Sequence, residues 1–408
     1  MKTHTIGDDP RLREILSELR SLIRLAETAP WTGSQAQRIV EALRLGVPPA
    51  GAAVGLTVGR EEVLARISRD LDYVRHGKSR LVFLRGEYGM GKTHALRVLQ
   101  EYAHQHSFAS SFIELNLREC PLHDLGLIYR RVVQNLQTSS HSAGSALQLL
   151  LEEWADQVRK LGEQDREGAL RRLRRLHPDF RAALTAYFGC SQTGRSGLSQ
   201  LVLEWMTGGA LSARERIAIG VSANVCQTNA LTMLGSLASM VRLTGIRGVA
   251  ILLDEADATL SFDQATQKER ATRNLNILMR SSRTFPYSYF VYSTPPPFFR
   301  RREMLSGIIL EQHNVIDLEP LDPTHLIALA QKIRDLHLLA YAWENTSRIR
   351  DSEIRSLVNR LLGNQVLRSS VRGFVRAVVE VLDCCQLNPR LNLGTLMNRF
   401  TASVPLAR

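Results

Sequence analysis

One octapeptide constrains this chain more than any other feature: Gly86-Glu87-Tyr88-Gly89-Met90-Gly91-Lys92-Thr93, set directly behind the apolar run Leu81-Val82-Phe83-Leu84. The run is short and fully apolar, as in strands buried on both faces, and helical periodicity begins at Thr93. The segment between them matches GxxxxGK[ST] without a mismatch. Glycines let the backbone curl so that successive N–H groups converge on phosphate oxygens. The helix that follows turns its positive end toward the same anion. In that setting Lys92 is placed to reach the β- and γ-phosphates of a nucleotide and Thr93 to ligate Mg²⁺. Tyr88 and His94 flank the loop. Each is as well suited to packing as to touching a ligand.

A second acidic feature closes another apolar run. Residues 249–253 are Val-Ala-Ile-Leu-Leu, followed by Asp254-Glu255. Carboxylates at a strand end are weak evidence alone, because strand ends meet solvent. Combined with a phosphate loop they acquire roles: Asp254 to hold Mg²⁺ directly or through water, and Glu255 to polarise the water that attacks the γ-phosphate. Asp257 reads more simply as a helix cap.

Strand patterns at 81–84, 111–115, 249–253, 287–292 and 315–318 are separated by helical patterns, which predicts an α/β fold with a parallel sheet. The expected organisation is an N-terminal helical region over 1–57, an α/β nucleotide domain over 58–320 and a C-terminal helical lid over 321–408. The nucleotide domain would carry a large helical insertion at about 138–245. The lid has room for a small winged-helix-like module and little more. Helices are predicted over 11–25, over 34–45 with Ser34 and Gln37 as a capping box, and over 61–73. The C-terminal section predicts further helices over 326–341, 351–362, 369–382 and 391–400.

Composition narrows the partners. The 408 residues carry a formal charge of +12, and 46 of the 52 basic residues are arginine. Arginine forks suit phosphate, and surplus positive charge favours polyanions such as DNA, although base composition of a genome also enriches arginine. A strongly basic helix is predicted over 168–177, carrying Arg171, Arg172, Arg174 and Arg175. It reads either as a phosphate-binding face or as a solvated one. Five cysteines without a CxxC spacing point to a reducing compartment and no zinc site. No apolar run approaches the roughly 18 residues of a membrane span, and the N-terminus lacks the apolar segment of a signal peptide. A cytoplasmic protein is expected.

The order of these motifs resembles that of AAA+ ATPases of the initiator/STAND-like branch. The resemblance implies an adenine-side segment at Val58-Gly59-Arg60-Glu61-Glu62, and a polar sensor, Ser293 or Thr294, closing the strand after the second acidic site. It also implies an arginine finger among Arg300, Arg301 and Arg302, with Arg301 central, and a second sensor in the lid, Arg372 or its rival Arg368. A closer resemblance spans nearly the whole chain. Residues 38–48, the Gly59-Arg60 segment, the phosphate loop with His94 after it, and Trp205-Met206-Thr207-Gly208-Gly209 resemble BREX-type phage-defence ATP-binding proteins (BrxD-like). This implies ATP and Mg²⁺ as cofactors, ATP hydrolysis, a homo-oligomer whose neighbour supplies the arginine, other defence-system proteins as partners, and action on or beside DNA. Two alternatives stay open: an ATP-gated, non-catalytic scaffold or regulator, and an initiator- or transposition-like DNA-loading ATPase.

Overall fold

The strand runs of the sequence become a single six-stranded sheet. The computed structural model describes residues 31–193, 196–254, 264–281, 285–300, 314–343, 349–364, 367 and 370–388. Helix α1 (Gly33–Arg44) and helix α2 (Glu61–Arg75) precede strand β1 (Ser79–Arg85), which leads through the glycine-rich turn into α3 (Lys92–Gln105). Then come β2 (Ala109–Glu114), α4 (Leu125–Gln134) and a two-residue β3 (Leu136–Gln137). A helical stretch follows, α5 (Ala146–Lys160), α6 (Glu163–Arg172), α7 (Pro178–Thr193), α8 (Ser196–Met206), α9 (Ala213–Ala218) and α10 (Ala230–Leu243). The chain re-enters the sheet at β4 (Val249–Asp254), passes α11 (Ala265–Ser281), β5 (Ser288–Thr294), α12 (Pro297–Arg300) and β6 (Val315–Asp317), and ends in α13 (Pro323–Tyr341), α14 (Asp351–Leu362) and α15 (Val371–Leu387). The helices predicted over 11–25 and 391–400 lie outside the described residues.

The sheet order is β3-β2-β4-β5-β1-β6. Strands β2, β4, β5 and β1 run parallel to one another, and β3 is antiparallel to β2. The protein is therefore a mixed α/β molecule with a parallel-dominated sheet and many helices. All residues of β4 and β5 are buried, which is why residues 249–253 and 289–292 read as continuous runs rather than alternating ones.

The residues group into two compact units: 1–68, 86–101 and 317–408 form one, and 69–85 with 102–316 the other. In the second unit the helices of 146–243 are continuous with the sheet core. Trp154, Phe180, Trp205 and Met240 share one apolar cluster with Phe83, Ile251, Phe290 and Tyr292. The tryptophan–glycine element is tied down within it. Trp205 Nε1 donates to the Ala223 carbonyl (2.8 Å), Tyr129 Oη to the Met206 carbonyl (2.7 Å) and Arg130 Nη2 to the Gly208 carbonyl (2.6 Å). In the first unit helices from early and late in the chain build one core: Ile39, Val40 and Leu43 of α1 cluster with Leu329 and Ile333 of α13, Leu357 of α14, and Phe374 and Val378 of α15.

Two local predictions shift. The capping box of α1 is Thr32 with Gln35, not Ser34 with Gln37. Thr32 Oγ1 accepts from Gln35 N at 3.3 Å and Gln35 Oε1 from Thr32 N at 2.8 Å. Both pairs satisfy the same three-residue spacing, and the one with an extended N-cap backbone (Thr32, ψ 158°) takes the role. The basic stretch over 168–177 is not one helix. Helix α6 stops at Arg172, and residues 173–175 tighten into a 3₁₀ turn, with Leu173 buried.

Candidate functional site

The glycine-rich loop over 86–93 owes its shape to two glycines. Gly89 (φ 76°) and Gly91 (φ 91°) both sit in the left-handed region, which an L side chain enters at a cost of roughly 1–2 kcal/mol. Met90 N donates to the Glu87 carbonyl at 3.3 Å, closing the turn. Lys92, first in α3, donates its ammonium to the carbonyls of Gly86 (2.9 Å) and Glu87 (3.2 Å). That ammonium also lies 5.1 Å from the centroid of the exposed Tyr88 ring. Gly86 packs on Leu318, and Thr93 is half-buried in the first turn of α3.

Gly59 and Arg60 belong to the same compact unit. Gly59 (φ 61°) lies so close to His325 that a Cβ there would stand 2.6 Å from the imidazole. Arg60 donates to the carbonyls of Glu319 (2.7 Å) and Met90 (3.3 Å), joining the 58–60 segment to the loop. Burial lowers the Arg60 pKa, opposed by Glu319 and Glu61. His94 Nε2 lies 3.1 Å from Thr57 Oγ1. Because Thr57 Oγ1 already donates to the Ala53 carbonyl at 2.8 Å, it accepts from His94, which fixes the Nε2–H tautomer. Desolvation, with the Arg60 and Lys332 charges, pushes His94 down to about 4, so the ring is neutral at physiological pH. Glu101 of α3 accepts from Ala53 N and Val54 N, both at 2.9 Å, and Lys332 donates to the carbonyls of Gly55 (2.9 Å) and Thr57 (3.1 Å). The stretch before Gly59 is thereby anchored to α3 and α13.

Arg372 reaches the loop through its backbone. Its N–H donates to the Gly89 carbonyl at 3.1 Å, and its aliphatic stem lies against Gly46, where a Cβ would stand 2.9 Å from Arg372 Cγ. Ser370, the N-cap of α15, is tighter still: a Cβ on Gly89 would meet its hydroxyl at 2.2 Å. Sequence reasoning did not single out Ser370. A serine three residues before Gly373 signalled a cap, but nothing local said that the cap lies on the loop.

The other candidate residues close the carboxyl edge of the sheet in the second unit. The register sets Leu253 opposite Tyr292 and Arg85 opposite Thr294. Asp254, 3% exposed, accepts a hydrogen bond from Ser293 Oγ, its only side-chain partner among the described residues. A buried carboxylate with one hydroxyl donor is under-compensated, the condition in which a cation is favourable. Thr294 Oγ1 is buried with no hydrogen-bond partner among the described residues. Glu114, which the sequence reading passed over, ends β2 in register with Asp254 and adds exposed negative charge at that edge. These donors fit Mg²⁺ and phosphate oxygens. The carboxyl edge is also where open parallel sheets bind ligands. Glu255 and Arg301 lie outside the described residues, as do Asp257, Arg302 and Arg368, while Arg300 ends α12.

A family model described as "BREX system ATP-binding protein BrxC/D" matches residues 33–400. Among curated proteins, none matches the chain.

Proposed function

The chain belongs to the BREX system ATP-binding protein BrxC/D family, ATP-binding proteins of a phage-defence system, and from that membership we propose that it is an AAA+ ATPase that hydrolyses ATP on or beside DNA in the cytoplasm. The observation that carries the reading is the left-handed turn at Gly89 and Gly91, with Lys92 at the head of α3. Loop N–H groups and the Lys92 ammonium would hold the β- and γ-phosphates, and Gly59, Arg60 and His94 would shape the adenine side. Thr93 and Asp254 would hold Mg²⁺, which when bound neutralises phosphate charge. Glu255 would draw the proton from the attacking water, with Ser293 keeping the Asp254 carboxylate oriented and Thr294 offering its hydroxyl. Arg301 of a neighbouring copy would meet the charge that develops on the γ-phosphate, so a homo-oligomer is part of the proposal, and Arg372 would report on the nucleotide from the lid. Other proteins of the defence system are the proposed partners.

A second reading, an ATP-gated scaffold, draws on one observation: the N-terminus of α15 lies directly on Gly89. A change in loop conformation would pass to that helix without turnover. Steady-state phosphate release, with and without DNA, separates the two. Wild type should turn over, and Glu255→Gln should bind ATP with turnover lower by about 10²–10⁴-fold. Lys92→Ala should abolish ATP binding. Absence of wild-type turnover in both conditions would favour the scaffold, and unchanged nucleotide affinity in Lys92→Ala would sink the site.

A further inference from the structure

The second unit carries a cleft of about 1180 Å³ at the edge of the sheet opposite Asp254. It is walled by residues just ahead of the strands, Gly77 before β1 and Phe285–Tyr287 before β5, and by one side of α10 and the 3₁₀ turn after α6. The six residues of β4 separate the two edges, about 20 Å at ~3.3 Å per residue.

The lining is one-signed. Arg172, Arg175 and Arg242 line the cleft, and no Asp or Glu does among the described residues. Three surface arginines elsewhere in this unit are paired: Arg131 with Glu119, Arg171 with Glu167 and Arg273 with Glu269. Arg172 and Arg175 are exposed and have no carboxylate partner among the described residues. Unneutralised arginines that converge on a cleft create a positive potential focused by its walls.

The third arginine is held differently. Arg242 lies over the Tyr287 ring, 5.4 Å from its centroid. Tyr287 has φ 62°, an outlier for a bulky side chain. Its backbone is fixed from two sides, N–H donating to the Lys78 carbonyl and carbonyl accepting from Val249 N, both at 2.9 Å. Gly77 lies beside it, where a Cβ would stand in ordinary contact, 3.4 Å from the phenol oxygen. Strain imposed by surrounding structure concentrates at binding sites. Here it presents a ring that keeps a guanidinium plane at the cleft wall, and guanidinium planes are surfaces on which unpaired bases stack.

We propose that this cleft binds single-stranded nucleic acid, with backbone phosphates on Arg172 and Arg175 and a base stacked on Arg242. The cleft is larger than the roughly 300–1,000 Å³ of small-molecule pockets. Its combination of a basic groove with a stacking platform is that of sequence-tolerant single-strand binding. The inference rests on the reading that the protein acts on or beside DNA, and because the cleft shares no residue with the loop over 86–93 the two can be tested apart.

The test is fluorescence anisotropy of a labelled single-stranded oligothymidylate titrated with full-length protein across a salt series, with ATP binding measured in parallel. Arg172→Gln/Arg175→Gln should weaken binding at least tenfold and reduce the slope of log affinity against log salt by about 1.4, at about 0.7 per lost phosphate contact. Arg242→Lys should weaken binding with the slope unchanged, because charge is kept and the stacking plane is lost. The charge-matched control Arg131→Gln/Arg273→Gln should bind like wild type, and Lys92→Ala should lose ATP and keep the oligonucleotide. Wild-type affinity in Arg172→Gln/Arg175→Gln, or an equal loss in the control, overturns the proposal. So does a duplex of matching length that binds as tightly as the single strand and loses as much in the double variant.

Discussion

Gly89→Ala tests how tightly the phosphate loop is built into the C-terminal helices. Gly89 has φ 76°, and an L residue there costs about 1–2 kcal/mol. The added methyl would stand 2.2 Å from Ser370 Oγ and 3.1 Å from Ser370 Cβ. Both distances are too short, so Ser370 must move. That hydroxyl caps α15 by accepting from Gly373 N at 3.1 Å, and losing a cap costs about 1 kcal/mol. The Arg372 N–H to Gly89 carbonyl bond at 3.1 Å is strained with it, a further ~1 kcal/mol. Together these give about 3–4 kcal/mol, read as the shift of the urea midpoint at constant m-value. Ser370→Gly alone should cost only a few tenths, since glycine is a tolerable N-cap. In Gly89→Ala/Ser370→Gly the clash disappears and the backbone cost stays, so the two substitutions should show a favourable coupling of about 1–2 kcal/mol. ATP affinity, which depends on the loop backbone itself, should fall in Gly89→Ala and not return in the double variant. Additive stability losses would refute the reasoning, because they would mean that Ser370 and Gly89 do not share space.

Three further outcomes follow from the same geometry. His94 is depressed to about 4 against about 6.5 unfolded. Its contribution is therefore complete above about 6.5 and is lost as pH falls toward about 4, by roughly 2–3 kcal/mol; His94→Gln should flatten the stability profile in that window in urea melts at stepped pH. Ser293→Ala removes the one hydroxyl donor of Asp254, and phosphate release should slow by about 10–100-fold with a weaker response to Mg²⁺; an unchanged Mg²⁺ titration would count against Asp254 as a ligand. Burial raises the Asp383 carboxyl, but hydrogen bonds from Arg44 (2.8 Å) and His337 (2.9 Å) outweigh it and bring the group to about 2. Asp383→Asn should cost about 2 kcal/mol near neutral pH. The cost should vanish as pH falls through about 4 toward 2, where wild type loses the same ionisation.

Local chemistry was legible wherever consecutive residues carry the signal. The glycine-rich turn, both buried strands and the acidic strand end needed only spacing and hydrophobicity, because left-handed turns demand glycine and doubly buried strands demand apolar runs. Features set by choice among equivalent local signals were not legible. Thr32 and Ser34 each begin a valid capping box, and only the extended backbone at Thr32 decides between them. The basic stretch over 168–177 looked like one helical face, yet burial of Leu173 tightens it into a 3₁₀ turn that turns Arg172 and Arg175 into a cleft with Arg242.

The sequence by itself determined that this chain places a glycine-rich turn behind one buried strand and Asp254 at the end of another, since both follow from what glycine and apolar runs can do in isolation. Tertiary structure decided which residues far apart in the chain share a neighbourhood. It set Ser370 on Gly89, brought Ser293 to the Asp254 carboxylate, and gathered α1 and α13–α15 into one core. Those pairings depend on parallel register and on shape complementarity between distant helices, and neither leaves a periodic trace in the residues that make them.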